Sequence, residues 1–458
     1  MKKQIKKAIT LSLTVVLLAT SLVACGQKTP APDAGNQVTE APKGEDGNGE
    51  TPAPTETPEV SKLPETLENP NITILWHTSE EAFLTNQAND PNSFDGVWSV
   101  IPAFEAKYGG KVNVVAVGWG DMKDTLIGMV NGGEACDLAQ ANDQNFPIYP
   151  VKKLVQPIGE YVDLQDDFWY KGVTNAFTFG GEAYAVGTDA TPIVLYYNKS
   201  LYESNGVKSP GEYYAEGNWN WDTFKEAAIN ITGDTDGDSV VDQFGFGWWD
   251  GDYGVFMTTN GVTNMAYRED GTIGTNFANE AAKEAVQFIQ DAYIKDKYID
   301  VTRDGDYFMN DFKSGKLGMT LEYGFNGFGP YASDYEIDFV PLPQGPKGVK
   351  NHASGGLSGW VVPITATNGD GAAAFVRMSC EMALEHNNSM NTLKYGEEKV
   401  NLIGELAQNV LFAPIGIEKY WDANWTIVSG IREGTPVSTF LQVADEQIAE
   451  GVQITLEQ

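Results

Sequence analysis

Strand-like and helix-like segments alternate along most of this chain, and this alternation constrains its fold more than any other feature. Ile72 to Leu75 is a short β-rich run, Val97 to Tyr108 carries apolar residues at helical spacing, and Val112 to Val117 predicts the next strand. A helix is then predicted from Met122 to Val130, with a C-terminal capping signal at Asn131-Gly132-Gly133. Strands that alternate with helices favour parallel sheets covered on both faces.

The same pattern continues towards the C-terminus. We predict helices at about Asn220 to Ile231, Asn279 to Tyr293 and Ala372 to Leu384, and strands at Leu317 to Leu321 and Trp360 to Pro363. The part of the chain with this pattern runs from about Asn71 to Gln458, roughly 390 residues. Because single hydrophobic cores stop growing below that length, the sequence predicts two lobes.

The N-terminus has the composition of a secretory signal. A basic stretch from Met1 to Lys7 precedes an apolar run from Ala8 to Ala19 that is short for a membrane span, so residues 1–24 are interpreted as a signal peptide. Leu22-Val23-Ala24-Cys25 resembles a lipoprotein processing site, which predicts a lipid anchor on Cys25. The alternative is ordinary cleavage after small residues, with Cys25 as a bystander.

Residues 25–70 are rich in Pro, Thr, Glu and Gly, as in Thr51 to Pro58. Such a segment buries too little apolar surface to offset its ordering entropy, so we predict a disordered linker between anchor and folded domain. The formal net charge of −33 argues against a nucleic-acid partner and favours solubility. Cys136 and Cys380 have no metal-site spacing; buried free thiols are favoured, and a disulfide between them stays open.

Several segments, taken in order, resemble family 1 of the bacterial extracellular solute-binding proteins. Each is a weak motif alone, but their order and spacing cover nearly all of the folded part. They are Phe104 to Val112, Ala183 to Gly187, Tyr196 to Tyr202, Asn220 to Phe224, Phe312 to Met319 (FKSGKLGM) and Gly355 to Trp360 (GGLSGW).

This resemblance implies a two-lobed α/β fold of the type II periplasmic-binding-protein class, each lobe a mainly parallel sheet flanked by helices. We expect the N-terminal lobe at residues 71–188 and 338–388, and the C-terminal lobe at residues 189–337 and 389–458. Hinge crossovers are expected near Gly187 to Pro192, Tyr335 to Pro341 and Glu385 to Thr392. A few hinge residues would let the lobes close on a ligand.

The resemblance also implies function. We expect a monomeric carbohydrate receptor of an ABC importer, held on the extracellular face of the membrane by its lipid anchor alone. It would bind a mono- or oligosaccharide, deliver it to the permease and catalyse nothing. Two other hypotheses stay open: a binding protein for a peptide, polyamine or other cation, and a surface glycoside hydrolase, which needs a carboxylate pair in the cleft.

Sugars present apolar ring faces and hydroxyl edges, so the site needs flat aromatics and short polar side chains at the ends of strands. The first candidates by this rule are Trp76, His77, Trp119, Asn142, Asp143 and Asp189. Further along the chain they are Trp248, Trp249, Tyr323, Asn326, Trp360, Trp421 and Trp425. For each Trp the alternative is core packing, and for Asp143 and Asp189 it is a turn that binds backbone N–H groups. Trp219 and Trp221 are assigned to packing.

An Asp-rich run places carboxylates at alternate positions, followed by an apolar residue at the eighth. Its members are Asp234, Asp236, Asp238, Val240 and Asp242. A calcium loop uses this spacing because a tight turn gathers alternate oxygens around one cation. The match is partial, since Ser239 stands where glycine is preferred and Gly245 replaces the final Glu. A structural calcium ion and a metal-free polar turn both remain open.

Motifs for catalysis do not appear in the sequence. The histidines His77, His352 and His386 are scattered, and there is no H-E-x-x-H, G-x-S-x-G, Walker A or G-x-G-x-x-G pattern. No cofactor is therefore expected apart from the calcium considered above.

Overall fold

The structure of the protein is a computed structural model, which describes residues 62–268, 271–303, 307–325, 335–350 and 352–457. The predicted signal peptide, Cys25 and most of the predicted linker lie outside the described residues, and so does Asn326. No helix in the described ranges combines the length and the apolar character that a bilayer crossing requires.

The strands are mostly short, and two of them are long. They are β1 (Ile72–Trp76), β2 (Val112–Ala116), β3 (Ala139–Asn142), β4 (Val155–Gln156), β5 (Thr178–Phe179), β6 (Glu182–Ala183), β7 (Val186–Asn198), β8 (Phe244–Phe246), β9 (Met265–Tyr267), β10 (Ile273–Thr275), β11 (Leu317–Tyr323), β12 (Ile337–Val340) and β13 (Gly355–Pro363).

Helices separate most of these strands. They are α1 (Glu80–Asn89), α2 (Ile101–Tyr108), α3 (Met122–Gly132), α4 (Ile148–Val151), α5 (Lys171–Ala176), α6 (Lys199–Asn205), α7 (Pro210–Ala215), α8 (Trp221–Ile231), α9 (Gly254–Thr259), α10 (Glu280–Ile294), α11 (Tyr307–Lys313), α12 (Gly369–Tyr395), α13 (Glu397–Ala407), α14 (Tyr420–Glu433) and α15 (Val437–Glu457).

Strand β7 links two halves of the molecule. Its first half pairs with β13, from Val186 opposite Trp360 to Pro192 opposite Gly355. Its second half pairs with β11 on one side and β12 on the other. Five strands of this seven-stranded sheet have the order β3-β13-β7-β11-β8, while β12 also pairs with β7 and β4 with β13. The predicted crossover at Gly187 to Pro192 lies inside one continuous strand.

The sheets are mixed, which corrects the prediction of mainly parallel strands. Ladders β1–β2 and β8–β11 are parallel, and a parallel bridge joins Ile74 to Leu138. The ladders formed by β7 and β13 are antiparallel. The difference arises at the crossover strands, because β13 returns beside β7 in the opposite direction instead of following a helical βαβ connection.

Burial along β7 alternates between two hydrophobic cores, as the period of a strand requires. Ile193, Leu195 and Tyr197 pack in a cluster that otherwise draws on residues 201–340 and 417–448, which we call the second-lobe core. Val194 and Tyr196 pack in a cluster on the other face, which joins residues from both halves. A further cluster, the first-lobe core, draws on residues 72–186 and 360–380.

The first-lobe core includes Val186 at the start of β7, and the second-lobe core includes Ile193, Leu195 and Tyr197 further along the same strand. These two cores agree with the two-lobed fold class. The lobe boundaries themselves stay predictions, because residues 61–458 form one contiguous unit. The second predicted crossover falls on β12 and the third lies within α12.

Helix ends follow local chemistry. Asn220 and Asn279 cap α8 and α10 through their side chains, so each helix begins one residue later than predicted. Gly133, with φ of 68°, ends α3 as the capping signal predicts. Helix α2 begins only at Ile101, because residues 97–100 form a turn held by Asp95.

Both described cysteines are buried free thiols, as favoured from the sequence. Burial raises the pKa of the Cys136 thiol to about 12 and that of Cys380 to about 11. Thiols that stay protonated at neutral pH are poor nucleophiles, so both cysteines are packing residues.

Candidate functional site

A cavity of about 600 Å³ lies beside residues 188–192 of β7, between the part of that strand in the first-lobe core and the part in the second-lobe core. We call it the central cavity. Its volume is in the range of small-molecule sites. Five of the predicted site residues line it: Trp76, His77, Trp119, Asp189 and Trp360.

The first wall of the central cavity is a pair of stacked indoles. Trp76 and Trp360 lie nearly parallel, with an interplanar angle of 12° and ring centroids 5.1 Å apart. The indole Nε1 of Trp76 donates to both carboxylate oxygens of Asp95 at 3.1 Å. Both rings are largely buried, at 5% and 7% exposure, so the pair is fixed and only its edge reaches the cavity.

His77 and Trp119 extend this wall towards solvent. The His77 ring lies 4.3 Å from Trp76 and 4.8 Å from Trp119, measured between ring centroids. Burial lowers the pKa of His77, while the nearby Asp95 carboxylate opposes that effect. A neutral imidazole therefore supports an exposed Trp119 indole, whose apolar face is free for a ligand ring.

Polar groups lie on the floor of the same cavity. Asp189 belongs to β7 and is exposed to the cavity, although protein atoms surround it and the resulting desolvation raises its pKa. The hydroxyl of Thr191 donates to the Asp189 carboxylate at 3.3 Å. On β3, which is separated from β7 by β13, the side-chain oxygen of Gln140 is buried and accepts no hydrogen bond among the described residues.

A smaller cavity of about 290 Å³ adjoins the first, and we call it the side cavity. Trp119 lines both cavities, and Asn142 and Trp421 line the side cavity from opposite parts of the chain. The Asn142 side-chain oxygen accepts the backbone N–H of Gln144 at 2.9 Å, so this residue also shapes its own turn.

Asp143 interacts with groups from the other half of the molecule. Burial raises its pKa to about 6. Burial, followed by the charges of Asp143 and Glu322, raises the pKa of Asp252 to about 7. Burial and the charges of Asp252 and Asp143 also raise the pKa of Tyr323, an exposed residue at the end of β11. These carboxyl groups would ionise together only at a cost, so protons or a ligand must offset their repulsion.

Trp248 corrects one prediction. Its ring is only 2% exposed in the second-lobe core, and its Nε1 donates to the Tyr293 hydroxyl at 3.3 Å. Because neighbouring residues of an extended segment point opposite ways, Trp249 faces outward instead and contacts Trp421 and Trp425 at 6.1 and 6.3 Å between ring centroids.

Two of the remaining candidates are placed more simply. Trp425 is exposed on α14, away from the central and side cavities. Asn326 lies outside the described residues.

The family is shown by comparison with known proteins. The model of the family "Bacterial extracellular solute-binding protein" matches residues 88–378. The chain belongs to this family. As a family member it is a solute-binding protein, and the central cavity lies beside β7 and β13.

Curated relatives and solved structures agree with that membership. A protein of Brucella abortus (strain 2308), named as a binding protein, is 26% identical over 262 residues, 54% of this chain. The match spans 59% of that relative's length.

Among solved structures, a cyclo/maltodextrin-binding protein complexed with maltotetraose has a TM-score of 0.67 at 16% identity, covering 84% of this chain and 98% of that one. The galacto-N-biose-/lacto-N-biose I-binding protein of Bifidobacterium longum has a TM-score of 0.64 at 17% identity, covering 84% and 97%. At these identities the likeness shows the fold.

Several residues of this candidate site were missed from the sequence. Phe94 and His386 stack at 5.0 Å over the central cavity, and Gln140 lies in the middle of a strand. Asp252 lies in a short turn that directly follows Trp248 and Trp249 in the sequence. Only His386 gave a signal, because it falls in a predicted crossover; the others needed the three-dimensional arrangement.

The Asp-rich run forms an exposed loop in which Asp234, Asp236 and Asp238 place ligand atoms within 4.8 Å of one another. Both Asp234 oxygens accept backbone N–H groups, from Gly237 and Ser239 at 2.7 Å, and these bonds lower the pKa of Asp234. The oxygen donors suit calcium, but the same oxygens also support a metal-free turn. Calcium at Asp234, Asp236, Asp238, Val240 and Asp242 therefore stays a prediction.

Proposed function

We propose that this protein captures a mono- or oligosaccharide in the central cavity, between two closing lobes, and delivers it to an ABC permease. The observation that carries the proposal is that three indoles and a carboxylate line the same cavity, the indoles on its wall and the carboxylate on its floor. Trp119 offers an exposed ring face beside the fixed pair of Trp76 and Trp360, and the Asp189 carboxylate can accept hydrogen bonds from sugar hydroxyls. Ring faces and hydroxyl edges are what a sugar presents.

The comparisons support the same ligand class. Solved structures with this fold are described with maltotetraose, lacto-N-biose and α-D-tagatose bound. The chain's own residues add the chemistry. Gln140 provides a buried acceptor without a partner among the described residues, and a ligand hydroxyl is a donor that could reach it once the lobes move.

The test is a thermal-shift screen of purified protein lacking residues 1–25 against a broad carbohydrate panel. We expect stabilisation by at least one sugar, and no release of smaller sugars on incubation. Trp119→Ala should weaken binding of that sugar by about tenfold, because it removes the exposed stacking face. Tyr214→Ala is the matched control, since Tyr214 is an exposed aromatic on α7 outside the cavities described above. A panel without any stabilising sugar would reject the proposal.

A cationic solute, such as a polyamine, is the second candidate. It is favoured by Asp189, Asp143 and Asp252, three carboxyl groups whose pKa values are raised by burial. A bound cation would favour their ionised forms. Calorimetry with spermidine and with the sugar panel distinguishes the two ligand classes, because heat of binding is expected with sugars and not with spermidine.

We also propose that Cys25 carries a lipid anchor that holds the protein at the extracellular face of the membrane as a monomer. The support is the order of basic stretch, apolar run and cysteine in the sequence. Cys25→Ala should move the protein from the detergent phase to the aqueous phase in a detergent-partition assay. Partition that is unchanged by this substitution would reject the anchor and leave the binding function untouched.

A further inference from the structure

Exposed tryptophans are rare in this molecule and are not scattered. All 11 tryptophans lie in the described ranges, and three of them are exposed: Trp119 at 43%, Trp421 at 40% and Trp425 at 45%. A large aromatic ring left in water costs free energy that the fold does not recover. The position of each exposed indole therefore needs an explanation.

The three exposed indoles line adjoining depressions. Trp119 belongs to both the central cavity and the side cavity, and Trp421 lines the side cavity. Asp422 then lines both the side cavity and an open groove on the outer side of α14, which contains Trp425. We call this the outer groove. Shared lining residues thus make one continuous path from the central cavity to the surface.

Trp421 and Trp425 are held as a pair. They are four residues apart on α14, so they lie on one face of the helix about 6 Å apart along its axis. Both rings contact the Trp249 ring, with centroid distances of 6.1 Å for Trp421 and 6.3 Å for Trp425. Trp249 therefore limits the motion of both exposed rings, which keeps them available as platforms.

The rest of the outer groove is uncharged or acidic. Its lining residues come from α14, α15 and the turn between them, and none of them is Lys or Arg. Hydroxyl, carboxyl and amide groups come from Asp422, Thr426, Ser429, Glu433, Thr435, Thr439 and Gln447, over an apolar floor of Phe440 and Val443. An anionic ligand would be repelled here, whereas a neutral polyhydroxyl chain finds a stacking ring flanked by acceptors.

We propose that the outer groove is a further carbohydrate subsite, which holds the end of an oligosaccharide that extends out of the central cavity past Trp119 and Trp421. The ligand is then an oligosaccharide and not a monosaccharide. This inference rests on the proposed function and deepens it. All residues that line the outer groove belong to α14, α15 and the turn between them, so the overhanging end would contact this one part of the chain.

The test uses a glycan array that covers monosaccharides, disaccharides and longer oligosaccharides of several linkages, followed by calorimetry on the glycans bound. Wild type should bind long glycans more tightly than the disaccharide of the same series. Trp425→Ala should weaken long glycans by about tenfold and leave the disaccharide unchanged. Thr439→Arg, which fills the groove from an exposed position on α15, should do the same.

Tyr214→Ala again serves as the control for loss of an exposed aromatic. The outer groove would be rejected as a subsite if wild-type affinity did not depend on glycan length. It would also be rejected if long glycans bound Trp425→Ala as tightly as wild type. Either result would leave the proposed function standing. An array without any bound glycan would overturn both.

Discussion

Two pairs of tryptophans, one in the first-lobe core and one on α14, differ in burial, and Trp119, which lines both cavities, is exposed like the second pair. In the first-lobe core, Trp76 on β1 and Trp360 on β13 are buried and stacked, and the Asp95 carboxylate accepts the Nε1–H of Trp76. On the second lobe, Trp421 and Trp425 are exposed on a helix surface. The first wall is part of a hydrophobic core, whereas the second is added to the outside of one.

This difference separates two functions of aromatic residues. A fixed wall positions a ligand ring with little loss of side-chain entropy on binding, because the rings are already ordered. The exposed rings on α14 are restrained by Trp249 but line open depressions, so they can contact ligands of different length. The first lobe should therefore determine where a ring sits, and the second lobe how long a ligand is accepted.

The largest expected effect is a loss of stability when a tryptophan of the first-lobe core is removed. Trp360→Ala should lower the free energy of unfolding by about 3–5 kcal/mol, because it leaves a cavity in the first-lobe core and removes the stacking partner of Trp76. Trp421→Ala should lower it by about 1 kcal/mol or less, because its ring is exposed. Urea unfolding followed by circular dichroism measures both. Equal losses in the two variants would show that the walls do not differ in this way.

A smaller effect concerns the carboxyl groups that the two halves bring together. The pKa of Asp252 is raised to about 7 and that of Asp143 to about 6, both from an ordinary value of 3.8. Over that interval the folded protein keeps protons that the unfolded chain has lost. The free energy of unfolding should therefore fall as pH rises from about 4 to about 7, and this contribution should level off above that range.

Asp252→Asn should make that pH dependence shallower, because it removes one of the two acids whose pKa is raised. Asp143→Asn should have the same effect from the other side of the cleft. Urea unfolding at pH about 5 and about 8 compares the three proteins. A wild-type protein that gains stability over this range would contradict the raised pKa values.

The smallest effect is expected at the Asp-rich loop of the second lobe. If calcium binds there, adding calcium after chelation should raise Tm by a few degrees, since a ligand that binds only the folded state stabilises it. Asp236→Ala should remove this shift and leave sugar affinity unchanged, because the loop does not line the central cavity. Calcium titrations monitored by calorimetry and thermal unfolding measure both. A calcium-independent Tm would identify the loop as a metal-free turn.

Much of this organisation followed from sequence because local signals and tertiary structure agree. The cap at Gly133 lies where capping chemistry indicated, and Trp219 and Trp221 are buried as assigned. The family resemblance supplied the fold class. It did not predict that β13 pairs with β7 in antiparallel orientation. That orientation depends on the path of the chain between the two strands, and no local sequence pattern encodes it.

The site was harder to predict for a physical reason. A tryptophan that packs in a core and one that lines a cavity look alike in sequence, and only burial tells Trp248 from Trp249. Gln140 was missed because a polar residue within a buried strand carries no periodic signal. Asp252 was missed because its pKa is raised first by burial in the folded protein and then by the charges of Asp143 and Glu322, which are distant in sequence.

The most direct measurement is a crystal structure of the protein with the tightest-binding glycan from the array. We expect a sugar ring in the central cavity, against the face of Trp119 and beside the edge of the Trp76–Trp360 pair, with a hydroxyl bound to Asp189. A complex whose glycan lies elsewhere, with these residues free of contact, would contradict the account.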